Sequence, residues 1–86
     1  MATVVELATL LGWRSYHTHD SRRSGPGFPD MVLARDGRLL FVELKTERGK
    51  LTYPQRAWLS ALHACPSAEV YEWRPSNWPE IEAVLR

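Results

Sequence analysis

The run from Pro29 to Lys45, PDMVLARDGRLLFVELK, constrains this chain more than any other stretch. Asp36-Gly37 is a dipeptide that supplies the positive φ angles of a two-residue type I′ turn, and apolar residues flank it on both sides. The pattern predicts a hairpin of Met31 to Arg35 and Arg38 to Lys45. With Asp36 and Gly37 in the turn, Arg35 faces Arg38, Ala34 faces Leu39, Val32 faces Phe41 and Asp30 faces Glu43. Met31, Leu33, Leu40, Val42 and Leu44 fall on the other face, so the hairpin reads as the middle of a sheet covered on both sides.

This register aims two carboxylates at one spot, with Cβ atoms roughly 5 Å apart. At an effective dielectric near 20 they repel by roughly 3 kcal/mol, so a positive charge belongs between them. Lys45 shares their face and supplies part of it, and a divalent cation supplies more. Mg²⁺ in particular takes one or two protein carboxylates and completes its shell with water and phosphate oxygens. A plainer reading makes Asp30 a turn residue and Glu43 with Lys45 a solvated strand end. A three-residue loop with a bulge would shift the pairing by one and turn Asp30 to the wrong face.

Around the hairpin, residues 3–11 carry Val4, Leu7, Ala8 and Leu11 at helical spacing, and Gly12 stands where a left-handed C-terminal cap belongs. Residues 13–19 read as a strand, and 20–29, with two Gly, two Pro and two Ser, as a loop. Thr52 and Gln55 stand in capping-box relation with Pro54 between them, opening a helix whose apolar stripe is Trp58, Leu59, Leu62 and Cys65 and which Pro66 ends. Residues 68–74 read as a strand, and Asn77 opens a last helix with Ile81, Val84 and Leu85. The order is α-β-β-β-α-β-α, an α/β domain with a mixed four-stranded sheet flanked by helices.

Eighty-six residues allow one domain, residues 1–86. A net charge of +1 excludes a module that holds nucleic acid by bulk charge. The lone Cys65 excludes an internal disulfide, and the lack of a leader or long apolar run points to a reducing, cytoplasmic setting without membrane contact. His17, His19 and Cys65 lack the ligand spacing of a zinc site; the histidines are better placed at the edge of the acidic site or against phosphate. Three tryptophans read as core or interface, and Trp78 as the exposed one.

Gly27-Phe28-Pro29-Asp30, Glu43-Leu44-Lys45 and Gln55 together resemble the signature of the VRR-NUC domain, the virus-type replication-repair nuclease of the PD-(D/E)XK superfamily. The likeness runs from about Tyr16 to Trp73. It implies a restriction-endonuclease-like core and a DNA nuclease using Mg²⁺ or Mn²⁺. It further implies that Asp30, Glu43 and the Leu44 carbonyl ligate the metal and that Lys45 orients or helps deprotonate the attacking water. Gln55, already explained as a cap, would reach the water or the phosphate. Arg22, Arg23, Lys50 and Arg56 flank the site in sequence, where backbone contacts to DNA are expected. Stand-alone relatives tend to be homodimers that cut branched DNA such as Holliday junctions, and two-fold symmetry suits paired nicks. Members often carry an acid early in the first helix; Glu6, six residues before Gly12, does not match that position. A flap or linear-DNA nuclease, a non-catalytic DNA-binding module of the same fold and a purely structural interaction domain are the alternatives.

Overall fold

The computed structural model describes residues 2–18 and 26–86. His19, Arg22 and Arg23 lie outside the described residues. The elements follow the expected order: α1 (Ala2–Leu10), β1 (Arg14–His17), β2 (Met31–Arg35), β3 (Arg38–Leu44), α2 (Tyr53–His63), β4 (Ala68–Trp73), a 3₁₀ turn (Pro75–Asn77) and α3 (Trp78–Leu85). The sheet runs β1-β2-β3-β4, antiparallel for the first three strands and parallel between β3 and β4, where α2 makes the crossover. Among the described residues no helix is long and apolar enough to cross a membrane.

The hairpin turn is as the dipeptide demands, with φ of 51° at Asp36 and 80° at Gly37. The register follows, with Arg35 opposite Arg38, Leu33 opposite Leu40 and Met31 opposite Val42. No bulge shifts it between Met31 and Val42, and continued by one pair it sets Asp30 opposite Glu43 at the open end of the hairpin.

One face of the sheet carries the core. Met31, Leu33, Leu40, Val42 and Trp73 pack there with Val4 and Ala8 of α1, Ile81 and Leu85 of α3, and Trp13. At the turn end of that face Arg35 donates to the carbonyls of Leu11, Leu85 and Arg86 at 2.8–3.0 Å, closing the C-terminal ends of both helices. Its guanidinium also lies 4.4 Å from the centre of the Trp13 ring.

The second face is covered more thinly. α2 has no fully buried residue, and its anchor is an aromatic group in which Phe28 stands edge-on to Phe41 and to Trp58. Three expectations are corrected here. The stripe of α2 stops short of Cys65, because the helix ends at His63 and leaves the thiol exposed. Trp58, expected in the core or at an interface, is 38% exposed and so lies outside the core. Trp78, expected outside, packs partly buried against the core.

Candidate active site

The proline before Asp30 shapes the site. Continuing the β2–β3 register places Pro29 opposite Leu44, and proline has no N–H to give the ladder. The Leu44 carbonyl therefore gets no ladder bond from Pro29, while the Leu44 N–H donates to the Asp30 carboxylate, Oδ2, at 2.8 Å, which fixes that side chain across the mouth of the hairpin. Asp30 is held from the other side too, its carbonyl accepting from the Thr18 N–H at 2.9 Å. Thr18 Oγ1 donates to the Pro29 carbonyl at 3.2 Å, so the β1–β2 pairing reaches past the end of β1.

Glu43 lies one step along, only 2% exposed and the one acid or base in the buried set among the described residues. Burial, with the neighbouring Asp30 charge adding to it and Lys45 opposing, pushes its carboxyl up to about 7. The Lys45 ammonium stands 3.9 Å from Glu43 Oε2. The arrangement is two carboxyl groups and one ammonium at the end of a buried strand that is paired on both edges. Leu44 and Lys45 also line a cavity of about 240 Å³ that reaches to the first turn of α1 at Thr3 and Val4. That turn carries no acid, and Glu6 is exposed.

Gly27 brings α2 to the site. Its φ is +86°, and a Cβ there would lie 2.4 Å from the Pro54 carbonyl carbon and 2.7 Å from the Gln55 nitrogen. The loop before Asp30 therefore rests backbone to backbone on the first turn of α2. Gln55 is thus beside the loop, but its side chain is occupied in part. Oε1 accepts from the Thr52 N–H at 2.8 Å while Thr52 Oγ1 accepts from the Gln55 N–H at 3.3 Å, the capping box the spacing predicts.

The structure separates other candidates from the acids. His17 pairs with Met31, which puts it on the core face, whereas Asp30 and Glu43 belong to the row that carries Val32 and Phe41 on the other. The expectation that His17 edges the acidic site is corrected by that alternation. Lys50 and Arg56 are exposed. Among the described residues no group of three or more His, Cys, Asp or Glu forms a metal cluster. Sequence reading missed Thr18, the Gly27 contact and Arg74, whose partners are distant in the chain.

The family model of the VRR-NUC domain matches residues 4–74. No curated protein matches the chain. Among solved structures, the chain resembles a 1.6 Å structure of Hjc, a Holliday junction resolvase from the archaeal hyperthermophile Archaeoglobus fulgidus, with a TM-score of 0.59 and 23% identity. The match covers 86% of this chain and 63% of that one, and it shows the fold.

Proposed function

The chain belongs to the VRR-NUC domain family, and from that premise we propose that it is a divalent-metal-dependent DNA endonuclease, acting as a homodimer on branched DNA such as Holliday junctions. The observation that carries the proposal is the hairpin register, which puts Asp30 and Glu43 opposite each other with Lys45 on the same face.

The donor set suits a hard cation. Asp30 and Glu43 supply one carboxylate each, within the number Mg²⁺ favours. A strand residue's N–H and C=O leave on the same edge, so the Leu44 carbonyl is on the Asp30 side, and Pro29 opposite it cannot bond it. These three groups would hold Mg²⁺ or Mn²⁺, which supplies charge neutralisation and a more acidic water. Glu43 gives up its proton to bind. Lys45 orients the attacking water and stabilises the oxyanion charge that develops on the phosphorus substituents. The Gln55 amide keeps its NH₂ group for the water or a phosphate oxygen. Arg22, Arg23, Lys50 and Arg56 carry the substrate backbone. The resolvase likeness supports the junction and the dimer by analogy of fold.

The test compares four-way, flap, single-stranded and linear duplex DNA as substrates in Mg²⁺ and Mn²⁺. Lys45→Ala is expected to slow cleavage by about 10²–10³-fold, the loss typical of an oxyanion donor. Asp30→Asn is expected to abolish cleavage and remove the Mn²⁺ site read by calorimetry. Light scattering is expected to give twice the 9.9 kDa of one chain. Junction binding with no cleavage by the wild type would leave a binding module, and equal cutting of linear duplex would remove only the junction preference.

A further inference from the structure

Directly after Lys45 the chain makes a tight turn, residues 46–50, and the segment after β4 holds it. Arg74 Nη1 donates to the carbonyls of Thr46 at 2.5 Å and Gly49 at 2.6 Å, with a longer approach of 3.4 Å to that of Glu47. Its Nη2 donates to Glu72 Oε2 at 2.5 Å. The turn closes on itself through the Gly49 N–H, which donates to Thr46 Oγ1 at 3.0 Å. Glu47 is tied back as well, its carboxylate accepting from the Ser76 N–H at 2.7 Å and from Ser76 Oγ at 2.9 Å.

The charges therefore sort by sign. The one acid of the turn is drawn back to Ser76, and Glu72 is neutralised by Arg74. Arg48 and Lys50 are exposed and form no ion pair among the described residues. Two free cations thus stand on a fixed backbone beside Lys45. Both Nη1 donors go to carbonyls 25 and 28 residues away and an Nη2 donor to Glu72, so the guanidinium fixes the geometry of the turn. Ordering the turn in advance removes the entropy a mobile loop would lose on binding.

We propose that the turn 46–50 is a binding site for the phosphodiester backbone of the nucleic acid, contacted by Arg48 and Lys50, and that Arg74 is the positioning residue that holds the turn ready. The proposal rests on the reading of the chain as a nuclease and on the backbone role given there to Lys50, and it adds Arg48 as a contact and Arg74 as the residue that positions both. Arg74 acts through the turn, so its removal and the removal of the two cations affect the same binding step.

The experiment measures affinity for a fluorescein-labelled junction without metal, and kcat and KM with metal, for the wild-type chain, Arg74→Gln, Arg48→Gln/Lys50→Gln and the triple variant. Arg74→Gln and the double variant are each expected to weaken binding about 10-fold, with kcat at saturating DNA within about 2-fold. The triple variant is expected to bind within about 2-fold of the double, and the double to have a salt slope shallower by about 2. Multiplied losses in the triple variant, a fall in kcat, or unchanged affinity in Arg74→Gln would overturn the proposal. Thermal melts check folding, and the Arg48→Gln/Lys50→Gln variant gives a second route: both side chains are exposed and hold nothing in the fold, so unchanged affinity there overturns the proposal even if Arg74→Gln does not fold. Binding is read without cleavage. A protein that cuts nothing but shows the non-additive pattern loses the nuclease reading and keeps this site; one that cuts with unaltered affinity in the variants loses this site alone.

Discussion

Glu43 carries a proton cost that the fold imposes. Its carboxyl is raised from the ordinary 4.5 to about 7, chiefly by burial. Between those values the folded chain binds more protons than the unfolded one, so stability falls as pH rises from about 4.5 through 7 and stays low above. The difference amounts to about 3 kcal/mol. In chelator, urea denaturation from pH 5 to 8 should show that decline, Glu43→Gln should flatten it and be the more stable protein at pH 8, and Mg²⁺ should offset it in wild type. A flat wild-type profile would contradict the raised carboxyl. Glu69 moves the opposite way, held at about 2 by hydrogen bonds from Arg38, so its contribution is lost only as pH falls from the ordinary carboxylate range toward 2. The two acids act in separate windows.

Among the elements, the hairpin was the most legible because one dipeptide fixes both its turn and its register, and the register alone brings Asp30 to Glu43. The opening of α2 was equally plain, since Thr52 and Gln55 satisfy each other locally. What α2 packs against was not. Its apolar spacing promised a buried stripe, but the aromatic contact it makes depends on Phe28, some thirty residues earlier, and leaves Trp58 partly in water. The Arg74 contacts were hidden for the same reason: carbonyl acceptors leave no trace in side-chain patterns. Gly27 is where this long-range docking can be tested. Ala there meets both a left-handed φ and the backbone of Pro54, so Gly27→Ala should cost about 1–3 kcal/mol in strain and reduce cleavage beyond what lost folding explains, because the loop carrying Asp30 moves off α2. Gly37→Asn is the control: nothing lies within 4 Å of a Cβ at Gly37, Asn accepts the conformation, and both stability and activity should hold.

The molecule as a whole divides its labour between the two ends of one sheet. Glu43 is five residues along β3 from Arg38, about 17 Å at the usual strand rise. At the turn end Arg35 fastens α1 and α3 by three carbonyls, and at the other end stand the acids. Arg35→Met should therefore lower stability by about 2 kcal/mol or more, since charged hydrogen bonds to partly buried acceptors are lost. The kcat of the folded fraction should be unchanged, which chemical denaturation and active-site-normalised rates would establish together. Coupled losses in both would mean that the ends communicate.

The Arg35 contact with the Arg86 carbonyl fixes how the protein can be handled. A surface anchor or dye attached at that residue sits at the far end of a body 31 × 28 × 23 Å across and leaves the acids open to a long polymer. The same label on the first turn of α1 would crowd the cavity beside Lys45. Immobilised single-molecule assays should therefore tether through Arg86.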